Sequence, residues 1–356
     1  MLDLALSHWL DTHAQALDIG LSEPQEVLSQ LAAADVLRVG ISSLLGGRGG
    51  NIADAVEVLS KVASHSLAAA FVFWGQRAFI EYVLQSPNKA LREKLLPSLL
   101  DGKLAGATGL SNAMKFLSGI EALQVRARQQ ERGWTLDGQL HWVTNLRKSG
   151  FVVAAAVESE NIGKPFVLAI PSTSSGLQRS TDLQLMGLQS SNTAALNFSH
   201  MDIGREWLLH EDAGIFLPTV RPAFLGLQCG LAIGLARRAL QEAEVHSRAG
   251  RTSLLEPLLE RGRHLEQVVS ELKSGLLDGR FLAHPAALFR LRIALADSAA
   301  NAVSLELQAS GGKAFLSEHG SGFARRWRES AFVPIVTPSL VQLRAELQRQ
   351  EREAAA

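Results

Sequence analysis

The sequence predicts an α+β protein that is mostly helical, with a small β domain between two helical regions. Apolar residues recur at helical spacing over roughly the first hundred residues, short alternating runs follow, and long helical patterns then return. We therefore expect an N-terminal α-helical domain at 1–104, a central β-barrel or sandwich domain at 105–212, and a C-terminal four-helix bundle at 213–356.

The N-terminal region has the pattern of amphipathic helices with one interruption. Ala53, Val56, Leu59 and Val62 fall on one helical face. The glycine cluster GGRGG at 46–50 predicts a sharp turn between helices. It lacks the Gly-Lys-Ser/Thr ending of a phosphate-binding loop, so we interpret it as a turn only.

Short strands dominate the middle of the chain. The runs that indicate them are LQVRARQ, WTLDGQLHWVTN, FVVAAAV, FVLAIP and AALNFSHMDI. Asp137-Gly138 is the clearest turn signal among them, and it predicts a tight connection between two strands. Further along, Gly311-Gly312 predicts the end of a long helix.

Composition excludes several classes of partner and site. Thirty-five Lys and Arg balance thirty-five Asp and Glu, and no long basic block occurs, so we do not expect nucleic acid to bind. The single cysteine, Cys229, excludes an internal disulfide framework and a Cys-rich metal site. The acids in MLDLALSHWLDTH argue against an export signal. The longest uncharged stretches are about 15 residues, shorter than the roughly 20 that a spanning helix needs, so we expect no membrane span and a cytoplasmic location.

Five segments share motifs with a known family, in the same order along the chain. They are LREKLLPSLLDGKLAGATGLS (91–111), ERGWTLDGQLHWVTN (131–145), LMGLQSSNTAALNFSHMDI (185–203), LQASGGKAFLSE (307–318) and RRWRESAFVPIVTPSLVQLRAEL (325–347). HWVTN resembles the family's Trp-Ile-Thr-Asn, and LQASGG resembles its Gln-x-x-Gly-Gly. The chain thus resembles the acyl-CoA dehydrogenase superfamily of flavoproteins over nearly its whole length.

The resemblance implies an FAD site and assigns residues to it. Trp142 and Thr144, with Val143 between them, match the strand that meets the isoalloxazine ring. An indole offers an apolar face to a planar ring, and a hydroxyl can bond a ring heteroatom. Leu110 and Ser111 match the Leu-Thr pair at the pyrimidine end of the ring, and serine keeps the hydroxyl.

The resemblance also implies a subunit that completes its neighbour's cofactor site. Gln308, Gly311 and Gly312 match the segment that reaches the adenosine diphosphate part of FAD in an adjacent subunit, which implies a homodimer or homotetramer. Arg248, or Arg251 close by, is the candidate for the family's pyrophosphate-binding arginine. Here its motif is shifted and lacks the usual phenylalanine.

The sequence departs from the family at the catalytic base. Most members place a Glu just before the last helix, where this chain has PIVTPS at 334–339 with Val336 or Thr337 at the matching position. Other members place a carboxylate on the first bundle helix, yet 213–241 contains no Asp or Glu. The catalytic residue is therefore unknown from sequence. The remaining candidates are Glu318, His319, Glu329 and His284.

Three functions are consistent with these residues. The resemblance first implies an FAD-dependent dehydrogenase that oxidises the Cα–Cβ bond of an acyl-CoA-like thioester, with an electron-transfer flavoprotein as acceptor. The alternative is a two-component flavin-dependent monooxygenase of the same fold, supplied by a flavin reductase, because that chemistry needs no base for the α proton. The second alternative is a non-catalytic flavin-binding paralogue.

Overall fold

The computed structural model describes residues 2–160 and 163–355, and helices lie before and after a central sheet. The helices that precede the sheet are α1 (Leu4–Ile19), α2 (Pro24–Ala33), α3 (Ile52–His65), α4 (Leu67–Gln85) and α5 (Lys89–Leu100). Asn51 and Asp54 form a capping box that begins α3, and the Ser66 hydroxyl accepts from Ala69 N to begin α4. The 46–50 cluster is a turn before α3, as predicted, with positive φ at Gly46, Gly49 and Gly50.

The sheet forms one continuous path. Its strands are β1 (Ala105–Thr108), β2 (Val125–Gln130), β3 (Gly133–Val143), β4 (Phe151–Ser159), β5 (Phe166–Pro171), β6 (Leu177–Arg179), β7 (Ala194–Gly204) and β8 (Leu208–His210). Their order is β6-β7-β3-β2-β4-β5-β8, and β1 pairs with β4. Strand β2 is antiparallel to β3 and parallel to the end of β4, so it joins the two halves of the sheet. A short helix, α6 (Ser111–Leu117), lies between β1 and β2.

The predicted turn at Asp137-Gly138 is wrong. The tight connection between β2 and β3 lies at Glu131 and Arg132, and Asp137-Gly138 lies inside β3. A Cβ at position 138 would come within 2.2 Å of Gln124 O. Glycine is therefore needed there for the close approach of two backbones and not for a hairpin turn.

The helices after the sheet pack around two long helices, the first at Ala213–Arg248 and the second at Pro285–Ser310. They are α7 (Ala213–Arg248), α8 (Leu255–Leu277), α9 (Arg280–Ala283), α10 (Pro285–Ser310), α11 (Ser321–Phe332) and α12 (Leu340–Ala355). Helix α7 contacts both α10 and α3. A Cβ at Gly234 would meet Ser60 O at 2.0 Å, so the close contact between α7 and α3 depends on that glycine. Helix α10 ends where Gly311-Gly312 predicted, with Gly311 at φ +60°.

The fold is the mostly helical α+β architecture that the sequence predicts. Along the chain, helices come before and after the central sheet. One large hydrophobic cluster runs through all three regions, and the predicted domain limits remain predictions. Within those residues, α4 and α7 are long and apolar enough to cross a membrane. However, 94% and 83% of their most apolar windows are buried inside the protein, where they form its core.

Candidate active site

A cavity of about 570 Å³ opens where α4, the sheet and α11 meet. The side chains around it are Phe71, Trp74, Thr108, Ser111, Lys115, Trp142, Thr144, Leu185, Met186, Leu188, Thr193, Arg328, Ala331, Phe332, Ile335, Val336, Thr337, Ser339 and Gln342, with Gly187. Three of the predicted cofactor residues, Ser111, Trp142 and Thr144, are in this wall. Leu110 and Val143, also predicted, are buried directly beside them in the chain.

A β-bulge turns Trp142 towards the cavity mouth. Leu140 pairs with Leu196 and Val143 pairs with Ala194, so β3 has one more residue than β7 between these pairs. The bulge breaks the alternation of the strand and leaves Trp142 66% exposed while Val143 is buried. Much of an aromatic side chain is thus exposed at the edge of a cavity, where a planar ligand ring can stack on it.

A row of hydroxyl groups fixes Thr144 behind the indole. The Thr144 and Thr193 Oγ1 atoms are 3.1 Å apart, and Thr193 Oγ1 is 2.7 Å from Ser191 Oγ. All three residues are buried. Because these hydroxyls bond each other in series, the orientation of Thr144 is set before any ligand binds.

Asn145 holds the end of β3 in place. It has φ +65° and is buried, and its Nδ2 donates to Gln76 Oε1 at 2.9 Å and to Gly106 O at 2.8 Å. Asparagine is among the few residues that adopt this conformation readily. Asn145 therefore fixes Trp142 and Thr144 relative to α4 and β1 and has a structural role.

The floor of the cavity is aromatic. Phe71 and Trp74 are stacked with centroids 5.3 Å apart, and Phe71 meets Phe332 edge-on at 4.8 Å. Trp74 Nε1 donates to Phe224 O at 3.2 Å, so its polar atom is satisfied. The floor can hold an apolar substrate group and exclude water from it.

Two cations and no anions are among the side chains in the described wall of this cavity. Lys115 Nζ lies 3.2 Å from Glu121 Oε1, and Arg328 pairs with the fully buried Asp18 at 2.6 Å. Asp18 also accepts from Leu188 N at 2.9 Å. The Asp18 carboxylate therefore ties α11 to the 185–188 loop, and both form part of the wall.

The position that matches the family's base is in the wall but cannot accept a proton there. Val336 and Thr337 both line the cavity, and no Asp, Glu or His of the described chain lines it. An aliphatic side chain and an ordinary hydroxyl do not act as general bases at neutral pH.

The other candidate bases lie elsewhere. Glu329 is 1% exposed, and its Oε1 accepts from Arg325 Nη1 at 2.8 Å and from Leu67 N at 3.1 Å, so it joins α11 to the start of α4. Glu318, His319 and His284 are exposed. None of the four lines the cavity.

The segment predicted to serve a neighbouring subunit is also distant from this cavity. Gln308 and Gly312 are exposed at the end of α10, and neither they nor Gly311 line the cavity. Arg251 Nη1 donates to Ala309 O at 2.6 Å, whereas Arg248 pairs with Glu244 on its own helix. Of the two arginine candidates, the structure brings Arg251 to this segment.

Sequence reasoning missed several residues of the wall. Thr193 lies in a segment that carried the family resemblance, so its motif could have indicated it. Thr108 ends β1 and bonds the buried Tyr82 hydroxyl at 2.8 Å, and burial raises the pKa of that phenol. Lys115 and Arg328 belong to α6 and α11 and meet only through tertiary packing, which no local pattern reveals.

Known proteins match the chain in sequence and in fold. The model of the acyl-CoA dehydrogenase N-terminal domain matches residues 6–103. The probable acyl-CoA dehydrogenase fadE25 of Mycobacterium leprae is 25% identical over 246 residues, covering 66% of this chain and 61% of that protein. The mitochondrial isovaleryl-CoA dehydrogenase of Pongo abelii is 24% identical over 201 residues, covering 54% and 47%. The chain thus spans about half the length of the curated relatives it matches.

The structural matches extend over almost the whole chain. Butyryl-CoA dehydrogenase from Megasphaera elsdenii superposes with a TM-score of 0.84 at 18% identity, covering 98% of this chain and 96% of that one. KijD3, solved in complex with FMN and a dTDP-linked amino sugar, gives a TM-score of 0.79 at 18% identity, covering 98% and 91%. The N-terminal domain match, the sequence relatives and the shared fold all support the acyl-CoA dehydrogenase superfamily as the family of this chain.

Proposed function

We propose that this chain is a flavin-dependent oxidoreductase and that the 570 Å³ cavity receives the ring of an FAD together with the substrate. The exposed indole of Trp142 and the pre-oriented hydroxyl of Thr144 suit a planar heteroaromatic ring. Ser111 lines the same cavity and adds a hydroxyl. A bound flavin supplies the electron transfer, which no side chain of the cavity can provide.

The residues of this chain would then hold and orient the flavin ring and shield the substrate from water. Trp142 contacts one face of the ring, and Thr144 and Ser111 offer hydrogen bonds to its edge. Phe71, Trp74 and Phe332 keep water from the reacting part of the substrate. In such a dry environment, the remaining polar groups act more strongly than they would in water.

The observation that favours one type of reaction over the other is that no carboxylate or imidazole lines the described cavity. Dehydrogenation of a thioester needs a base within about 3 Å of the α proton. Monooxygenation consumes reduced flavin and oxygen and needs no such base. We therefore place a two-component monooxygenase first, with a flavin reductase as partner.

Acyl-CoA dehydrogenation is the second candidate, and the curated relatives favour it. One is named a probable acyl-CoA dehydrogenase and the other an isovaleryl-CoA dehydrogenase, although the matches span only 61% and 47% of their lengths. In that case the substrate is an acyl-CoA-like thioester, an electron-transfer flavoprotein accepts the electrons, and a base must approach from outside the described wall.

The test is flavin binding and reduction, followed under nitrogen. We expect the protein to bind reduced FAD more tightly than oxidised FAD, and a panel of acyl-CoA thioesters to leave bound oxidised flavin unbleached. Bleaching by a thioester would select the dehydrogenase. Failure to bind either form of flavin would overturn both candidates, and the non-catalytic flavin-binding paralogue with them.

If thioesters fail to bleach the flavin, either the base is missing or thioesters do not bind. A pair of variants distinguishes these two explanations. Val336→Glu puts a carboxylate at the family's base position, and Val336→Gln has nearly the same size without one. If thioesters bind in the cavity, Val336→Glu should restore bleaching and Val336→Gln should not. If neither variant bleaches, thioesters are not the substrate class.

A further inference from the structure

A second cavity, of about 590 Å³, lies between α1, α7, α10 and the start of α11. One face of α10 and the turn after it form part of the wall, through Glu306, Ser310 and Lys313. Gln308, Gly311 and Gly312 are not among its lining residues. The cavity thus contacts the 307–318 segment through Ser310 and Lys313 and not through the three residues assigned to a neighbour's FAD, and it is lined by different residues from the cavity that contains Trp142.

The start of α11 supplies unused hydrogen-bond donors to this cavity. Gly320 caps the helix without a side chain, and the first backbone bond of the helix runs from Ala324 N to Gly320 O at 2.8 Å. Ser321, Gly322 and Phe323 line the cavity, and their N–H groups have no partner in the described chain. These N–H groups carry the positive end of the helix dipole, which favours an anion.

A buried hydroxyl at the same place gives an independent sign of a ligand. Ser310 is 6% exposed and lines the cavity, yet its side chain has no hydrogen-bond partner among the described residues. Because this hydroxyl faces the cavity and bonds no described residue, it is free to bond a ligand there.

Most charges in the wall are paired within the described chain, but Lys313 is not. Glu306 pairs with Arg326, Glu242 with Arg238 at 2.8 Å, and Asp11 with His65 at 2.8 Å. Arg326 uses Nε and Nη2 for its pair, which leaves Nη1 beside Gly322. Lys313 has no carboxylate partner in the part of the chain that the structure describes. Glu306 and Glu242 are thus paired with arginines and Asp11 lies 3.9 Å from Arg238, whereas Lys313 and the helix terminus face the cavity without a carboxylate partner among the described residues.

We infer that this cavity binds a phosphate-bearing ligand, with the phosphate at the start of α11 between Lys313 and Ser310. A phosphate offers several acceptor oxygens, enough for the backbone N–H groups, the Ser310 hydroxyl and Lys313 together. The cavity is larger than one phosphate ion, so it has room for the group that carries the phosphate. The inference does not depend on the proposed flavin reaction.

The experiment is calorimetric titration of the FAD-saturated protein with inorganic phosphate, at matched ionic strength in chloride. We expect saturable binding that Ser310→Ala and Lys313→Gln each weaken by about tenfold, the effect of losing one hydrogen bond to a charged group. Lys89→Gln, which removes an exposed lysine elsewhere, should leave phosphate binding unchanged.

The outcomes separate the sources of the phosphate. Tighter binding of AMP than of phosphate, with the same sensitivity to both variants, identifies a nucleotide, and equal binding identifies free phosphate. A heat of binding no larger than that measured with chloride would contradict the proposed site. Phosphate binding that both variants leave unchanged would contradict it as well. Loss of AMP binding in Gln308→Ala alone would overturn it too, because the nucleotide would then occupy the flavin site.

Discussion

Trp142 is the residue on which the flavin proposal depends most. Sequence alone gave a tryptophan on a strand, which is more often a core residue, and only its motif suggested a cofactor. The structure explains its position through the bulge between Leu140 and Val143. Asn145 of the same motif has a different role, since it holds the end of the strand against Gln76 and Gly106.

Trp142→Ala should weaken flavin binding while leaving the fold intact. Loss of one aromatic stacking partner costs about 1–3 kcal/mol of binding free energy. The side chain is mostly exposed, so the free energy of unfolding should change by only about 0.5 kcal/mol. Fluorescence titration with FAD and urea unfolding measure the two quantities. Trp327→Ala removes an exposed indole outside the cavity and should retain flavin, and equal flavin affinity in all three proteins would contradict the role of Trp142.

At the scale of elements, the sequence predicted which segments are helices and strands better than it predicted the turns between them. Helical periodicity and the glycines at 46–50 and 311–312 identified turns correctly, because backbone conformation there is a local property. Asp137-Gly138 failed because the glycine serves a contact with Gln124, a neighbour in space that no turn pattern represents. The cations Lys115 and Arg328 were missed for the same reason.

The 333–337 segment, of which Ile335, Val336 and Thr337 line the cavity, is held by a polar network in the bundle core. Arg292 on α10 is fully buried, and burial lowers its pKa. Its Nε donates to Gln228 Oε1 at 2.9 Å and its Nη2 to Val333 O at 2.7 Å, while Gln228 Nε2 donates to Thr337 O at 3.0 Å. No carboxylate of the described chain pairs with this guanidinium, so its charge is stabilised by neutral oxygens alone.

Gln228→Leu should therefore destabilise the protein more than Arg292→Met. The first change leaves a buried guanidinium with only Val333 O, at a cost of about 2 kcal/mol or more. The second removes the charge together with its bonds, which buried sites tolerate better, at about 1 kcal/mol. Urea unfolding gives both values, and Arg290→Met on the exposed face of α10 is the control. The reverse order of the two values would show that the guanidinium stabilises the core as a charge.

At the scale of the whole molecule, the predicted cofactor residues fall into two groups. Ser111, Trp142 and Thr144 line the cavity, whereas Gln308, Gly311 and Gly312 do not. The family motifs indicate both groups of residues in the sequence. They could not show that the second group does not line the same cavity as the first within one subunit. A site completed by a neighbouring chain is the arrangement that reconciles them, and it makes a homo-oligomer part of the proposal.

Subunit mixing tests that arrangement directly. In a heterodimer of Trp142→Ala and Gln308→Ala chains, a shared site places both substitutions in one cavity and leaves the other cavity intact. A site built within one subunit instead leaves a defect in each. Co-expression with two different affinity tags isolates the heterodimer, and FAD titration counts its tight sites.

We expect one tight site per heterodimer and none in either homodimer. The control is a heterodimer of Trp142→Ala with Lys89→Gln, which retains one tight site under both arrangements and calibrates the count. If the Trp142→Ala and Gln308→Ala heterodimer has no tight site while this control has one, Gln308 acts on the flavin of its own subunit. Oligomer formation would then have to be explained without the cofactor.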